Sequence, residues 1–336
     1  MSVQGRLKRY YREVLNDPAQ VAAFRTIGNG WETEVYYFSE GYRGTWKSRV
    51  LRMYPGANAA EKCTREFRGM RQLFELGYPV PEVFEHSADS RWLSKPFMTM
   101  QYINHRRLDS AIGLYPHFVR ADEWVMRFAQ LMVDLHRIDY HPFLWLVPDG
   151  IDSDASTLLR HKFSDAHRLI IDQFQQMWAI PVFDWLEASL PDVEKTASLS
   201  VIHNDFHFWN VMYPYVIDWS LIEVSDYRFD LGWTLILAAR RSLEQRDNIL
   251  SEYERLAGHP VDHIEYFEVV GALRRLFDLS VSLGSGADSL GMRPDTVAIM
   301  RRQHDHYQQV YDLLCKYTGL GLPEIERLLD TLRGST

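Results

Sequence analysis

The residues most suited to chemistry in this chain lie in one stretch, Val201-Ile202-His203-Asn204-Asp205-Phe206-His207-Phe208-Trp209-Asn210, followed by Val216-Ile217-Asp218-Trp219. Two apolar residues lead into a cluster of His, Asp and Asn, and a second β-rich run ends in a carboxylate. In a compact loop Asp205 and Asn210 can point into one cleft. Asn210 and Asp218 sit symmetrically about Pro214, so a tight antiparallel hairpin centred there would set them opposite each other with Cβ atoms ~4.5–5.5 Å apart. A carboxylate and an amide oxygen so placed suit one hard, oxygen-seeking cation such as Mg²⁺. Asp205 would then remain available to accept a proton.

The elements around this stretch fall into two textures. Leu7, Tyr10, Tyr11, Val14 and Leu15 recur at helical spacing, and Asn16-Asp17-Pro18 closes that segment. Strands are predicted at Glu34–Phe38, Arg49–Tyr54, Glu82–Glu85 and Pro96–Ile103, with one helix over Ala59–Leu76 ended by Gly77, Pro79 and Pro81. Beyond residue 104 helices dominate: Ala121–Ile138, Thr157–Trp178, Val182–Ser189, Leu231–Ala239, Asn248–Ala257, Ile264–Leu283, Thr296–Cys315 and Pro323–Leu332. The pattern predicts an α+β protein of two lobes, a small β-rich N-terminal one (1–103) and a larger, mostly helical C-terminal one (104–336), joined near Gln101–Asn104.

Composition narrows the class. With 336 residues, 46% apolar and 24% charged, the chain has the balance of a folded globular protein. Two cysteines, Cys63 and Cys315, make neither a disulfide framework nor a zinc site. The basic start has no apolar stretch behind it, and no window approaches the ~18 apolar residues of a membrane span, so a cytoplasmic protein without membrane contact is expected. The net charge of −8 is uneven: residues 1–100 carry 15 Lys+Arg against 11 Asp+Glu, a net of +4, and the remainder carry 22 against 34, a net of −12. The acidic part argues against nucleic acid as a partner, because it would repel phosphates. Oligomeric state leaves no trace in the sequence.

His203-x-Asp205-x₄-Asn210 followed by Ile217-Asp218-Trp219 resembles the aminoglycoside phosphotransferase and choline kinase family, relatives of the protein kinases. The resemblance continues in Asp230-Leu231-Gly232-Trp233 and, upstream, in Leu131–His136, and spans roughly residues 25–280. It implies a protein-kinase-like fold and an ATP- or GTP-dependent, Mg²⁺-dependent transfer of a phosphoryl group to a hydroxyl. Asp205 would accept the hydroxyl proton or orient the oxygen, Asn210 and Asp218 would hold Mg²⁺, and His203 would support the loop. Asp230 reads as the N-cap of the following apolar helix, as a brace for the catalytic loop, or as both.

The same resemblance assigns the nucleotide side. Gly28-Asn29-Gly30-Trp31-Glu32-Thr33-Glu34-Val35 is similar to a kinase glycine loop, with Thr33 where a third glycine is usual; glycines there let backbone N–H groups approach phosphates. A plain hairpin turn is the alternative reading. Val50 would roof the adenine, Arg52 would take the place of the usual lysine, and Glu66 would be its carboxylate partner. Gln101 and Ile103 lie in the link whose backbone would hydrogen-bond the adenine. The sequence departs from the family pattern at Asn204, where Gly is usual, at Phe208-Trp209, where Pro-Gly is usual, and in a short 211–217 hairpin.

The expected activity is that of a small-molecule kinase. The negative C-terminal part favours a hydroxylated, cationic acceptor, and Trp209, Trp219, Tyr227 and Trp233 are either a cage for such a cation or core residues. A protein kinase is the first alternative, against which stands the interval of only twelve residues from Asp218 to Asp230, too short for a polypeptide-docking segment. A non-catalytic nucleotide-binding module is the second.

Overall fold

A computed structural model of the chain describes residues 1–16, 20–29, 33–56, 58–105, 121–240, 242–292 and 295–334. The chain forms two compact units: Met1–Leu108 with Val211–Ile222, and Asp109–Asn210 with Glu223–Thr336. The sequence placed everything after residue 103 in one lobe; the hairpin bearing Asp218 belongs instead with the N-terminal unit.

In the first unit, helix α1 (Val3–Glu13) is followed by β1 (Gln20–Asn29), β2 (Glu34–Tyr42), β3 (Thr45–Met53), α2 (Ala59–Glu75), β4 (Val83–Ser87), the single turn α3 (Ser90–Leu93) and β5 (Phe97–Gln101). The strands make one antiparallel sheet in the order β1-β2-β3-β5-β4. Ser2 caps α1 by accepting from the Gly5 amide, and the spacing of Leu7, Tyr10 and Tyr11 turns one stripe of that helix inward. That stripe packs in one core with Phe38, Leu51, Met53 and Phe97, each such side chain contributing ~1.5–3 kcal/mol on full burial. Strand alternation then puts Val50 and Arg52 on the opposite face from Leu51 and Met53. The register adds Val35, which pairs with Arg52.

Strand β1 was not expected. Its alternation is blurred by Ala22, Ala23 and Thr26, its register slips between Ala22 and Arg25 and between Thr26 and Gly28, and Ala23 has φ +47°. An edge strand pairs on one side only, so a weak pattern suffices when the neighbouring β2 is strong.

The second unit contains α4 (Ala121–His136), α5 (Ala155–His167), α6 (Ile180–Glu194), β6 (Leu199–Ile202), α7 (Arg228–Ala239), α8 (Leu243–Ala257), α9 (Ile264–Val281), α10 (Thr296–Arg302), α11 (His304–Thr318) and α12 (Pro323–Arg333). The predicted helix 157–178 runs as α5 into a π-helical stretch Arg168–Gln173, and the predicted helix 296–315 is interrupted at Gln303. Between β6 and α7 lie β7 (Val211–Met212) and β8 (Tyr215–Val216), which form the hairpin of the first unit, and β9 (Glu223–Asp226), which pairs antiparallel with β6. Helix α7 is buried on every side, as its unbroken apolar run requires. At its start the buried Arg228 is held by both oxygens of Asp226 at 2.9 and 2.8 Å, by Thr196 Oγ1 at 3.0 Å and by the Asp262 carbonyl at 2.9 Å. This clamp fixes where α7, and with it Asp230, begins. Among the described residues no helix is long and apolar enough to cross a membrane.

Candidate active site

The loop after β6 is held from below by one carboxylate. Asp230, fully buried in the first turn of α7, accepts from the His203 amide at 2.7 Å through Oδ2 and from the Asn204 amide at 2.5 Å through Oδ1; His136 Nε2 lies 3.4 Å from Oδ2. Of the two roles read from the sequence, bracing is the one found: the residue at the cap position is Tyr227, with no side-chain cap bond, and Asp230 is inside the helix. His203 is fully buried, and its Nδ1 accepts from the Asp205 amide at 3.3 Å. Asn204 has φ +64°. A β-carbon is costly in that left-handed region, and Asn is among the side chains that tolerate it, which accounts for Asn where the family pattern has Gly. Thr234 Oγ1 donates to the Phe206 carbonyl at 2.7 Å, and Phe208 stacks on Phe128 with ring centroids 4.2 Å apart. Phe208 is therefore a core anchor.

Asp205 is thereby presented with a defined orientation. Trp233 Nε1 donates to its Oδ1 at 2.8 Å, Asn210 Nδ2 donates to its Oδ2 at 3.2 Å and to its carbonyl at 3.0 Å, and His207 Nε2 lies 3.4 Å from Oδ2. Arg274, from α9, donates to the Asn204 carbonyl at 2.8 Å, lies 3.9 Å from Asp205 Oδ1 and covers the Trp233 ring at 4.0 Å. The Asp205 side chain keeps 27% of its surface exposed. Burial pushes its carboxyl up, but the charge and hydrogen bond of His207 and the charge of Arg274 prevail and hold it well below the usual carboxylate range. Such a group is a weak proton acceptor and a strong, fixed hydrogen-bond acceptor, suited to orienting a hydroxyl. Four turns along α9 from its start, the partly buried Asp278 behaves oppositely: burial and Asp205 raise its carboxyl to about 6 against the pull of Arg274 and Arg275.

In the first unit a second cluster forms. Arg52, 8% exposed, donates through Nη2 to Asp218 Oδ1 at 2.5 Å, and its Nη1 lies 3.3 Å from Glu66 Oε1. Tyr54 donates to Glu66 Oε2 at 2.7 Å, and Ser220 to Asp218 Oδ1 at 3.3 Å. Glu66 is fully buried; burial raises its carboxyl to about 7 although Arg52 pulls it down, and the negative charge of Asp218 adds to the rise. The sequence expectation that Arg52 and Glu66 meet is thus met in geometry, and Asp218 joins them.

Other expectations fall out differently. The ladder pairs Val211 with Val216 and Met212 with Tyr215, so the hairpin is centred between Tyr213 and Pro214 and does not oppose positions 210 and 218. Asn210 belongs to the second unit and Asp218 to the first. Among the described residues no group of three or more His, Cys, Asp or Glu side chains is gathered to hold a metal. The donors still fit Mg²⁺ by type: Asn210 uses Nδ2 toward Asp205 and keeps its amide oxygen as an acceptor, and Asp218 supplies a carboxylate.

Gly28 pairs with Val35 in the β1–β2 ladder, without a positive φ and with no atom within 4 Å of where a Cβ would sit; Gly30 lies outside the described residues. Thr33 is buried. Val50 pairs with Met100; Gln101 ends β5, its amide on the Glu82 carbonyl at 2.7 Å; Ile103 is buried beyond it. The four aromatic residues do not form one cage. Trp219 is buried in the first unit with Nε1 on the Val216 carbonyl, Trp233 already faces Arg274, Tyr227 stacks on Tyr253, and Trp209 faces Arg240.

Sequence reasoning missed His207, Arg274 and Asp278 as neighbours of Asp205. His207 stood inside the quoted stretch. The signal for the other two was faint: charges in an otherwise largely apolar helix.

The fold has known counterparts. The streptomycin–ATP ternary complex of APH(2″)-IIa matches at TM-score 0.59 and 16% identity over 88% of this chain and 98% of that one. A Plasmodium vivax ethanolamine kinase matches at 0.58 and 13% identity over 96% and 89%. A choline kinase of Streptococcus pneumoniae matches at 0.52 and 17% identity over 93% and 98%. Among curated proteins, acyl-CoA dehydrogenase family member 11 of Gallus gallus is 25% identical over 249 residues, 68% of this chain and 30% of that protein. The chain spans under a third of the length of the curated relatives it matches. The model of the phosphotransferase enzyme family (APH) matches residues 23–263, most of the chain and all of the Asp205 loop, and the protein belongs to that family.

Proposed function

We propose that the protein transfers the γ-phosphoryl group of ATP or GTP to a hydroxyl of a small molecule, with Asp205 as the residue that meets the acceptor. The observation that carries this reading is the carboxylate of Asp205, fixed by Trp233, Asn210 and His207 on a loop whose amides are tied to Asp230. Phosphoryl transfer asks little covalent chemistry of a protein; positioning and neutralisation of charge supply most of the rate. A carboxylate kept ionised accepts a hydrogen bond from the acceptor hydroxyl and aims its oxygen. The proton can leave late, as bonding to phosphorus makes that oxygen acidic.

Asn210 and Asp218 would hold Mg²⁺, whose bound charge offsets that of the phosphates. Arg52, positioned by Glu66, would meet a phosphate, and Val35 and Val50, on the same face of the sheet, would pack against the base, with Gly28 at the phosphate end and the backbone of Gln101 and Ile103 at the adenine edge. A small acceptor is favoured over a polypeptide because only β9 and the start of α7 lie between Ser220 and Asp230, which leaves no segment to dock a chain. The test is titration of Mg²⁺ against nucleotide affinity. Asp218→Ala is expected to abolish the Mg²⁺ dependence and Asn210→Ala to weaken it less, since an amide is a poorer ligand for a hard cation than a carboxylate. Equal Mg²⁺ dependence in wild type and Asp218→Ala would contradict the reading.

A further inference from the structure

We infer that Arg274 is a catalytic residue of the transfer: its guanidinium, fixed beside Asp205, donates hydrogen bonds to the phosphoryl group as that group passes to the acceptor oxygen. The inference rests on the phosphotransferase reading and adds to it a positive charge supplied by α9.

Arg228 and Arg246 are spent on the fold. Arg228 bonds Asp226, Thr196 and the Asp262 carbonyl, and Arg246 grips both oxygens of Glu268. Arg274 differs. Among the described residues it makes one hydrogen bond, from Nη1 to the Asn204 carbonyl at 2.8 Å. Its Nη2 stands 3.9 Å from Asp205 Oδ1, too far for a hydrogen bond, and the side chain keeps 37% of its surface exposed. A guanidinium has five N–H donors, so donors beside Asp205 are left for a ligand.

Packing holds those donors in place. Arg274 lies three residues past Gly271, on the same face of α9, where α9 is pressed against α7: a Cβ on Gly271 would sit 3.2 Å from Ile236, and one on Gly232 would sit 2.6 Å from the Phe267 backbone. The guanidinium lies over the Trp233 ring at 4.0 Å, and the same indole donates to Asp205 Oδ1 at 2.8 Å. One ring thus sets the spacing of cation and carboxylate. The bond to Asn204 holds the guanidinium off Asp205; a bidentate pair would occupy the carboxylate oxygens that an acceptor needs.

Transfer brings phosphorus to the oxygen that Asp205 holds. A hydroxyl bonded to that carboxylate lies ~2.7 Å from it, so the phosphoryl oxygens arrive within reach of a guanidinium 3.9 Å from the same group. The bond from phosphorus to the bridging oxygen of ADP breaks, its electron pair stays on ADP, the bond to the acceptor oxygen forms, and the acceptor's proton leaves to water. Negative charge stays spread over the three equatorial oxygens. Arg274 gives up no proton; it donates hydrogen bonds to that charge and offsets the repulsion from the ionised Asp205. Already in position, it needs no reorganisation during the step.

The test uses the full chain with Mg²⁺ and two probes. One is ATP with water as the acceptor, followed by phosphate release. The other is ADP with aluminium fluoride, a mimic of the phosphoryl group in flight, followed by calorimetry. Wild type, Arg274→Gln, Arg274→Lys and Asp205→Asn are compared, with melting curves to show that each is folded. Arg274→Gln is expected to lower kcat by about 10²-fold or more, with the KM for ATP within about threefold of wild type. Aluminium fluoride should tighten ADP binding to wild type by about tenfold or more. Arg274→Gln should lose most of that gain, whereas Asp205→Asn, altered at the residue that meets the acceptor, should keep it. Arg274→Lys should fall between wild type and Arg274→Gln, because one ammonium cannot serve both the Asn204 carbonyl and the phosphoryl group. If Arg274 only props the loop, Arg274→Gln will behave like Asp205→Asn, with slower turnover and the fluoride gain intact. That result, an unchanged kcat, a loss confined to KM, or no fluoride gain in a wild type that releases phosphate would overturn the inference. A wild type that neither releases phosphate nor responds to fluoride would count against the phosphotransferase reading, and the inference would fall with it.

Discussion

Replacing Asp230 by Asn should cost turnover while leaving the Mg²⁺-free affinity for nucleotide alone. The two carboxylate oxygens each take a different backbone amide, His203 at 2.7 Å and Asn204 at 2.5 Å, in a fully buried position. An Asn side chain has one acceptor and one donor head, so it can satisfy only one amide and must point its NH₂ at the other; flipping the amide exchanges which bond is lost. A hydrogen bond to a charged group is worth ~1.5–3 kcal/mol, and the amide left facing a donor adds the penalty of an unmet buried group. A total of about 3 kcal/mol falls on a loop whose third residue is Asp205. At ~1.4 kcal/mol per factor of ten, that corresponds to about 10²-fold in kcat if the loop must be restored before transfer. Nucleotide affinity measured without Mg²⁺ should change by less than about threefold, because Arg52, Glu66 and Asp218 belong to the other unit, whereas Asn210 shares the braced loop. The assays are steady-state turnover, nucleotide titration and thermal melting. Wild-type kcat with an unchanged melting temperature would show that the amides do not depend on Asp230, and the bracing argument would fail.

Gly232→Ala should destabilise the second unit, because the added Cβ would sit 2.6 Å from the backbone carbonyl of Phe267 on α9; overpacking of this kind costs ~1–3 kcal/mol, and an unchanged melting temperature would mean that α7 and α9 are not locked at this spacing. Asp278 gives a pH signature. Its folded carboxyl is raised to about 6, so between about pH 4 and 6 the native state holds a proton that the unfolded chain has released, and this group's contribution to stability falls as pH rises. Asp278→Asn removes that fall, so the melting temperature of the variant relative to wild type should climb from pH 4 to pH 7; a pH-independent difference would contradict the placement of Asp278.

What was legible in the sequence was what lies close along it. His203, Asp205 and Asn210 fall within one short loop, so their types and spacing announced them. Arg52 and Glu66 were placed by a strand and a helix with strong patterns. The hairpin failed at a finer level: its ladder is two residues per strand, and a centre half a residue from Pro214 is enough to undo the opposition of Asn210 and Asp218. The direction of Phe208 was not legible, because an aromatic side chain in a polar loop has no signature of direction; only its stacking on Phe128, eighty residues upstream, turns it inward. Arg274 and Asp278 reach Asp205 through the packing of α9, which no local pattern encodes. The charge total counts residues and does not say which of them stand within a Debye length of the site.

The central claim is that Asp205 directs transfer of a nucleotide's γ-phosphoryl group to a small hydroxylated molecule. Its most direct test is to incubate the full chain with γ-labelled ATP, Mg²⁺ and a protein-free pool of hydroxylated small molecules, including hydroxy acids and phosphorylated alcohols, and to follow the label by mass spectrometry in wild type and Asp205→Asn. The expected result is label on a small molecule with wild type, reduced by about 10²-fold or more in Asp205→Asn, with nucleotide affinity alike in the two. Equal transfer by the two proteins, or label found only on polypeptide, would contradict it.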